Sequence, residues 1–300
     1  MPKLRAVLGD TPADLVARIA QNADAPLYLV GGVVRDVLVN RRTLDLDFVL
    51  EGDAIGFARQ LQRLYGGDLT THPPFGTAKW QLAGATLADA LQTTPDLLPA
   101  HLDFAMARRE TYAHPGALPT VTPDSIQTDL QRRDFSINAL AVALDADQLL
   151  DPFGGLDDLR SGIVRVLHDA SFEDDPTRIL RAVKYAARLG FTIEPHTAAL
   201  LTGALPGLGI ITGERIRHEL TLLLVEPEPE RGYADLAARG ALAASHPALN
   251  FDESDSIVFQ GARHLYTPEL AWYAWLARLT PADVGSVCRR LLIGRKESDV

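Results

Sequence analysis

A chain of 300 residues, 47% hydrophobic and 23% charged, has the composition of a globular protein with room for more than one domain. Its single cysteine, Cys288, excludes an intramolecular disulfide framework and a cysteine-built zinc site. A net charge of −10 argues against a general nucleic-acid coat protein. With no apolar run of membrane-spanning length and no basic-then-apolar leader, a soluble cytoplasmic protein without a membrane partner is expected.

Asp10-Thr11-Pro12 predicts a capped helix running to about Asn22. Leu27 to Val30 reads as a short strand, Gly31-Gly32 as a turn, and Val33 to Val39 as a short helix. A strand is expected over Leu44 to Leu50, with Leu44, Leu46 and Phe48 facing a core. Asp53 is placed to cap a helix reaching about Tyr65, which Gly66-Gly67 ends. Thr77 to Leu82 and His101 to Ala107 are further expected strands, joined by a long connection over residues 84–100. Ile163 to Leu167 is expected to be the last strand. From Pro176 onward the apolar period is helical, as in Ile179, Ala182, Val183, Ala186, Ala187 and Leu189. The chain closes on a polar run, residues 295–300, directly after an apolar helix.

Asp45 and Asp47 carry the most chemistry. On a strand, residues i and i+2 share a face, roughly 6.5–7 Å apart along the chain. Two like charges so placed are unfavourable unless a cation lies between them, and hard oxygen donors suit Mg²⁺, which binds one or two carboxylates plus substrate phosphates. The backbone of Gly31 and Gly32 just upstream is available to a triphosphate. Arg35 has two readings, a phosphate partner or an ion pair with Asp36. Asp103, alone on the apolar strand Leu102-Asp103-Phe104, is the candidate third carboxylate of a two-metal site; its plain alternative is a strand-edge aspartate.

A second cluster, Arg132, Arg133, Asp134 and Asn138, opens an apolar segment. Its arginines suit a triphosphate or primer phosphate, and Asn138 a ribose hydroxyl; the plain alternative is a solvated helix terminus. A third runs from Phe172 to Ala182. Its acids suit a helix N-terminus, but Asp175 and Arg178, three apart, also match a base edge: the carboxylate accepts from the amino group of cytosine or adenine, and the guanidinium donates to the ring acceptors. Arg181, Lys184 and Arg188 continue from Arg178 as a basic stripe suited to a phosphate backbone, or as an ordinary solvated face. Arg215 and Arg217 lie on a charge-dense amphipathic helix that reads as a surface face or as a brace.

Taken in order, Leu29-Val30-Gly31-Gly32-Val33-Val34-Arg35-Asp36, Leu44-Asp45-Leu46-Asp47, Arg132-Arg133-Asp134-Phe135-Ser136-Ile137-Asn138-Ala139, Asp151 to Leu159, Asp174 to Ala182 and Glu214-Arg215-Ile216 resemble the bacterial class II tRNA nucleotidyltransferase and poly(A) polymerase family of the polymerase-β-like superfamily. The resemblance implies an α+β protein: a nucleotidyltransferase head over 1–150 with a mixed or antiparallel sheet, then an all-α neck over 151–225 and body over 226–300, lacking part or all of the family's tail. It implies Asp45 and Asp47 as metal-binding catalytic carboxylates, with Asp103 as the third acid. Gly31, Gly32, Arg35, Arg132, Arg133, Asp134, Asn138, Asp175, Arg178 and Arg181 are implied to bind nucleotide, and Lys184, Arg188, Arg215 and Arg217 to bind RNA. Asp175 and Arg178 align with the amino-acid template for CTP and ATP, where the usual Glu-Asp opening is Asp174-Asp175 here. The Glu214-Arg215 helix aligns with the brace of the neck. The implied reaction is Mg²⁺-dependent addition of C and/or A to the 3′ end of tRNA, with no protein partner. The segment Arg109 to Pro119 matches the loop that governs the change from C to A addition, and its residues do not assign CCA, CC-only or A-only addition. A poly(A) polymerase and a non-catalytic RNA-binding module are the rival readings.

Overall fold

The computed structural model describes residues 2–83, 85–114, 117–262 and 267–294, so the polar run 295–300 lies outside the described residues. The chain forms two compact units, Met1–Thr111 with Pro119–Ser161, and Tyr112–Leu118 with Gly162–Val300.

The first unit runs α1 (Pro2–Leu8), α2 (Asp10–Ala20), β1 (Leu27–Val30), α3 (Gly32–Leu38), β2 (Asp47–Leu50), α4 (Ala54–Tyr65), β3 (Asp68–His72), β4 (Thr77–Gln81), α5 (Ala85–Ala90), β5 (His101–Met106), β6 (Arg108–Thr111), β7 (Thr120–Pro123), α6 (Ile126–Gln131), β8 (Ala141–Ala143), β9 (Gln148–Leu150) and α7 (Gly155–Ser161). Seven strands make one sheet in the order β3-β4-β5-β2-β1-β8-β9. Its described pairs are antiparallel except β2–β5. An α+β architecture with a mixed sheet is therefore present.

Strand alternation sorts the two central strands. Phe48 and Phe104 stack with ring centroids 5.2 Å apart, and Phe57 of α4 meets Phe104 edge-on at 5.6 Å. Asp47 and Asp103, one residue earlier on each strand, project from the opposite face. The α4 helix buries Ala54, Phe57, Ala58 and Leu61 at helical spacing, and its N-cap is Asp53, whose Oδ1 accepts from Gly56 N at 2.9 Å.

Several sequence expectations change. The strand expected from Leu44 begins at Asp47: β1 pairs with β2 only as far as Leu29↔Phe48. Leu44 is consequently 37% exposed and outside the core, whereas Leu46 and Phe48 are buried. Asp103 is no strand-edge residue, because β5 lies inside the sheet between β4 and β2. The connection over 84–100 contains α5 and a 3-10 turn at Pro95–Leu97, while α1, β3 and the β6–β7 ribbon were not anticipated.

The second unit holds β10 (Ile163–Val164), α8 (Ser171–Asp174), α9 (Thr177–Leu189), β11 (Thr192–Ile193), α10 (Pro195–Ala204), α11 (Gly213–Leu224), α12 (Pro229–Ala238), α13 (Ala241–Ser245), α14 (Glu253–Ala262), α15 (Pro268–Leu276) and α16 (Pro281–Leu291). The segment at 163–164 is not the last strand, since β11 pairs with it in parallel. Tyr233 anchors the helices: it is fully buried, donates its hydroxyl to Leu220 O at 2.8 Å and meets the rings of Phe251, Phe259 and Trp275. At Gly213 any Cβ would overlap the carbonyl of Arg290, so glycine permits the close approach of α11 to α16. Among the described residues no helix is long and apolar enough to cross a membrane.

Candidate active site

The parallel pairing of β2 with β5 builds a patch of acids. Its register sets Asp47 beside Asp103 and Phe48 beside Phe104. Two residues upstream on each segment stand Asp45 and His101, so D-x-D on one side faces H-x-D on the other. One ligand atom from each of Asp45, His101 and Asp103 lies within 4.8 Å of the other two. His101 Nε2 is 3.3 Å from Asp103 Oδ2 and 3.9 Å from Asp45 Oδ1. Across the antiparallel β4–β5 pair, Lys79 Nζ is 3.2 Å from the same Asp103 oxygen. Asp45 precedes the strand, with 72% of its side chain exposed, whereas Asp47 is half-buried.

Burial pushes the Asp47 carboxyl up to about 7; Asp45 and Asp103 add to the rise, while Arg133 and Lys79 oppose it. Three carboxylates thus share one field with too few cations to keep all of them ionised. A hard divalent ion fits this donor set. Sequence reasoning passed over His101 and Lys79. The available signal was the two-residue spacing His101-Leu102-Asp103, which repeats that of Asp45-Leu46-Asp47.

The end of β1 leads into this patch. Gly31 has φ +68°, and a Cβ there would sit 2.6 Å from Arg133 Nη1. Glycine therefore lets the guanidinium lie against the turn. The Gly31 N–H is already engaged, donating to Leu140 O at 3.0 Å. The N–H groups of Gly32, Val33 and Val34 belong to the first turn of α3, which has no intrahelical acceptor for them.

Asp129 is fully buried and holds both arginines of the second cluster. Its Oδ1 accepts from Arg132 Nε and Nη2, and its Oδ2 from Arg133 Nη2 at 3.1 Å. Burial alone would raise this carboxyl, but Arg133 and Arg132 outweigh it and hold it below its ordinary value. Arg132 also donates to Glu110 on β6, which accepts from Arg108 as well. Arg133 Nε is buried with no protein partner, so this guanidinium has donor capacity to spare.

Arg35, Asn138 and Asp134 are buried together. Arg35 donates to Asp36 Oδ1 through Nε at 2.8 Å and to Asn138 Oδ1 through Nη1 at 2.6 Å. Asn138 Nδ2 in turn donates to Asp134 Oδ1 at 3.0 Å. This chain ties the start of α3 to the segment after α6, and the Arg35–Asp36 ion pair is one of the two readings of its sequence.

In the second unit, Asp175 Oδ1 accepts from Thr177 N and Oγ1 at 3.0 and 2.7 Å, and from Arg215 Nη2 at 2.6 Å. Arg178 is buried and donates to Ser171 Oγ at 2.7 Å. The basic stripe is not a solvated face. Lys184 is buried against Glu219 Oε2 at 2.7 Å, Arg181 lies 3.6 Å from Glu219 Oε1, and Arg188 lies 3.8 Å from Glu226 Oε1. The reason is the packing of α9 on α11: Glu219, buried on α11, requires cationic partners. Arg217 donates to the Leu292 carbonyl. An open groove of about 1100 Å³ borders Thr177 and Arg215 and is lined further by His218, Trp272 and Tyr273.

Residues 27–165 match the model of the poly A polymerase head domain, and residues 190–252 match a probable RNA- and SrmB-binding site of polymerase A. The chain is 42% identical over 230 residues to the A-adding tRNA nucleotidyltransferase of Halalkalibacterium halodurans, covering 74% of this chain and 50% of that protein. It is 40% identical over 223 residues to the CC-adding tRNA nucleotidyltransferase of Deinococcus radiodurans, covering 73% and 55%. An apo form of a solved CCA-adding enzyme superposes with a TM-score of 0.78 at 32% identity, over 98% of this chain and 71% of that one. This chain belongs to the tRNA nucleotidyltransferase and poly(A) polymerase family. It spans about half the length of the curated tRNA nucleotidyltransferases quoted above. Within the family, the relatives differ in whether they are named for adding A or CC.

Proposed function

We propose that the protein transfers nucleotides from CTP and/or ATP to the 3′ end of tRNA and releases pyrophosphate. The observation that carries this reading is the patch in which Asp45, Asp47 and Asp103 meet beside the Gly31 turn. The relatives named for adding A or CC to tRNA support the substrate class.

Asp45, Asp47 and Asp103 would hold Mg²⁺, which when bound would offset the three negative charges and favour the ionised form of the primer hydroxyl. Arg133, with its spare Nε, and the first turn of α3 would receive the triphosphate. Arg132, Asp129 and Glu110 hold Arg133 and the β6–β7 ribbon in register. The Arg35–Asn138–Asp134 chain would hold the start of α3 in place beside the nucleotide.

Asp175 and Arg178 would select the base. The donors to Asp175, Thr177 N, Thr177 Oγ1 and Arg215 Nη2, converge on Oδ1, so Oδ2 is the oxygen that would accept from a cytosine or adenine amino group. Residues 151–225 would act as the neck, and residues 226–300 as the body. Arg215 braces Asp175, and Arg188 on α9 and Arg217 on α11, both half-buried, would meet RNA phosphate.

The test uses three tRNA transcripts, lacking CCA, lacking only the terminal A, and complete, each given CTP or ATP separately, with products sized on a gel. Incorporation restricted to tRNA ends, and reduced more than about a hundredfold in Asp45→Ala, is expected. Extension of any RNA with ATP alone would indicate a poly(A) polymerase. Near-normal activity in Asp45→Ala would refute the proposed chemistry.

A further inference from the structure

Of the four residues that face one another across β2 and β5, three are acids of the kind the proposed reaction requires. The fourth, His101, has no part in that account. Its Nε2 nevertheless points into the same space, 3.3 Å from Asp103 Oδ2 and 3.9 Å from Asp45 Oδ1. An octahedral ion with bonds of about 2.1 Å sets neighbouring donors about 3 Å apart and opposite donors about 4.2 Å apart. The observed separations fall within that range, and the whole three-residue set lies within 4.8 Å. The placement follows from the register: His101 stands to Asp103 as Asp45 stands to Asp47. Lys79, 3.2 Å from Asp103, is the group that an ion would displace or sit beside.

We infer that His101 is a ligand of the divalent-cation site, together with Asp45 and Asp103, and that its imidazole shifts the site's preference from Mg²⁺ towards Mn²⁺. The inference rests on the proposed reading of these carboxylates as a cation site. Mg²⁺ takes oxygen donors almost exclusively, and a nitrogen donor does little for it. Mn²⁺ accepts the same carboxylates and octahedral shape, and it also belongs to the series of ions that gain from nitrogen ligands. Zn²⁺ favours four-coordinate tetrahedral sites, which leave less room for a triphosphate. One imidazole among these carboxylates therefore favours Mn²⁺, which tolerates both donor types, over Mg²⁺.

The experiment titrates Mn²⁺ alone into the full chain and reads free Mn²⁺ by electron paramagnetic resonance, with Mg²⁺ measured by competition. The wild-type protein is expected to bind Mn²⁺ at least about tenfold more tightly than Mg²⁺, and His101→Ala to lose about tenfold in Mn²⁺ affinity with Mg²⁺ affinity little changed. Pulsed spectra of Mn²⁺ on the wild-type protein should show hyperfine coupling to a histidine nitrogen. That readout needs no variant, and its absence overturns the inference, as does unchanged Mn²⁺ affinity in His101→Ala. Asp45→Asn separates the two levels. If it abolishes binding while His101→Ala does not, only the role of His101 falls. If it too leaves binding intact, the cation site itself has been misplaced.

Discussion

Asp129 determines where two arginines point, although it touches neither the turn nor the carboxylate patch. Its carboxylate is fully buried and is depressed because Arg133 and Arg132 outweigh the cost of burial. A carboxyl depressed in the folded state contributes stability that is complete above its unfolded value and is lost as pH falls through the folded one. Asp129→Asn should therefore cost about 3 kcal/mol in urea denaturation at pH 7 and flatten the acid limb of the stability curve below about pH 4. A variant with the wild-type urea midpoint at both pH values would show that the arginines are held by other groups. This residue also shows where reading the sequence stopped. The pair Arg132-Arg133 is readable from sequence as a candidate for phosphate binding, because guanidinium chemistry is local. Which arginine retains spare donors depends on an acid one helical turn upstream and on Glu110 across a ribbon, and no spacing rule reports that.

The packing of α9 on α11 sets acids beside the expected basic stripe: Lys184 is buried against Glu219, while Arg181 and Arg188 stay half-exposed beside Glu219 and Glu226. Hydrophobic periodicity gave α9 a stripe of which Ile179, Ala182, Val183 and Ala186 are buried, while Ala187 and Leu189 at its end are only half-buried. It could not say that a second helix would bring Glu219 against the adjoining face, because that is a tertiary fact. Glu219→Gln should destabilise the protein by about 3–5 kcal/mol, since it leaves Lys184 buried beside a neutral group. The double change Lys184→Met with Glu219→Leu should recover most of that loss in thermal melts. Additive losses would mean that the pair is not coupled. The D-x-D strand shows a related case at the level of elements. Alternation placed Asp47 correctly, but β1 stops pairing at Phe48, so Asp45 is delivered by a loop and not by a strand. The face it reaches is the expected one because His101 and Asp103 continue the surface beneath it.

The whole molecule carries a net charge of −10, and the cations that sequence reading assigned to phosphate are largely spoken for. Arg132, Arg133, Arg181, Lys184, Arg188 and Arg215 each have a carboxylate partner within 4 Å. Few are then free to release counterions from RNA. The affinity for tRNA should fall only gently with salt, with a log–log slope of magnitude about 2–3 rather than the value near 10 of a strongly basic binder, as filter binding across a potassium chloride series would show. A steep slope would mean that these ion pairs open on binding. The parallel β2–β5 contact has a consequence of another kind. Asp47 and Asp103 meet only after the chain has closed a loop containing α4, β3, β4 and α5. No local segment can assemble the carboxylate patch, so in refolding it should appear late, with the closure of the sheet. The entropy of closing such a loop grows only slowly with length, about 0.6 kcal/mol per doubling. The α5 connection can therefore lengthen or shorten without moving the acids, provided β4 still delivers the chain to β5 in register. Variation in that connection is thermally cheap, whereas a one-residue slip between β2 and β5 would turn Asp103 into the core.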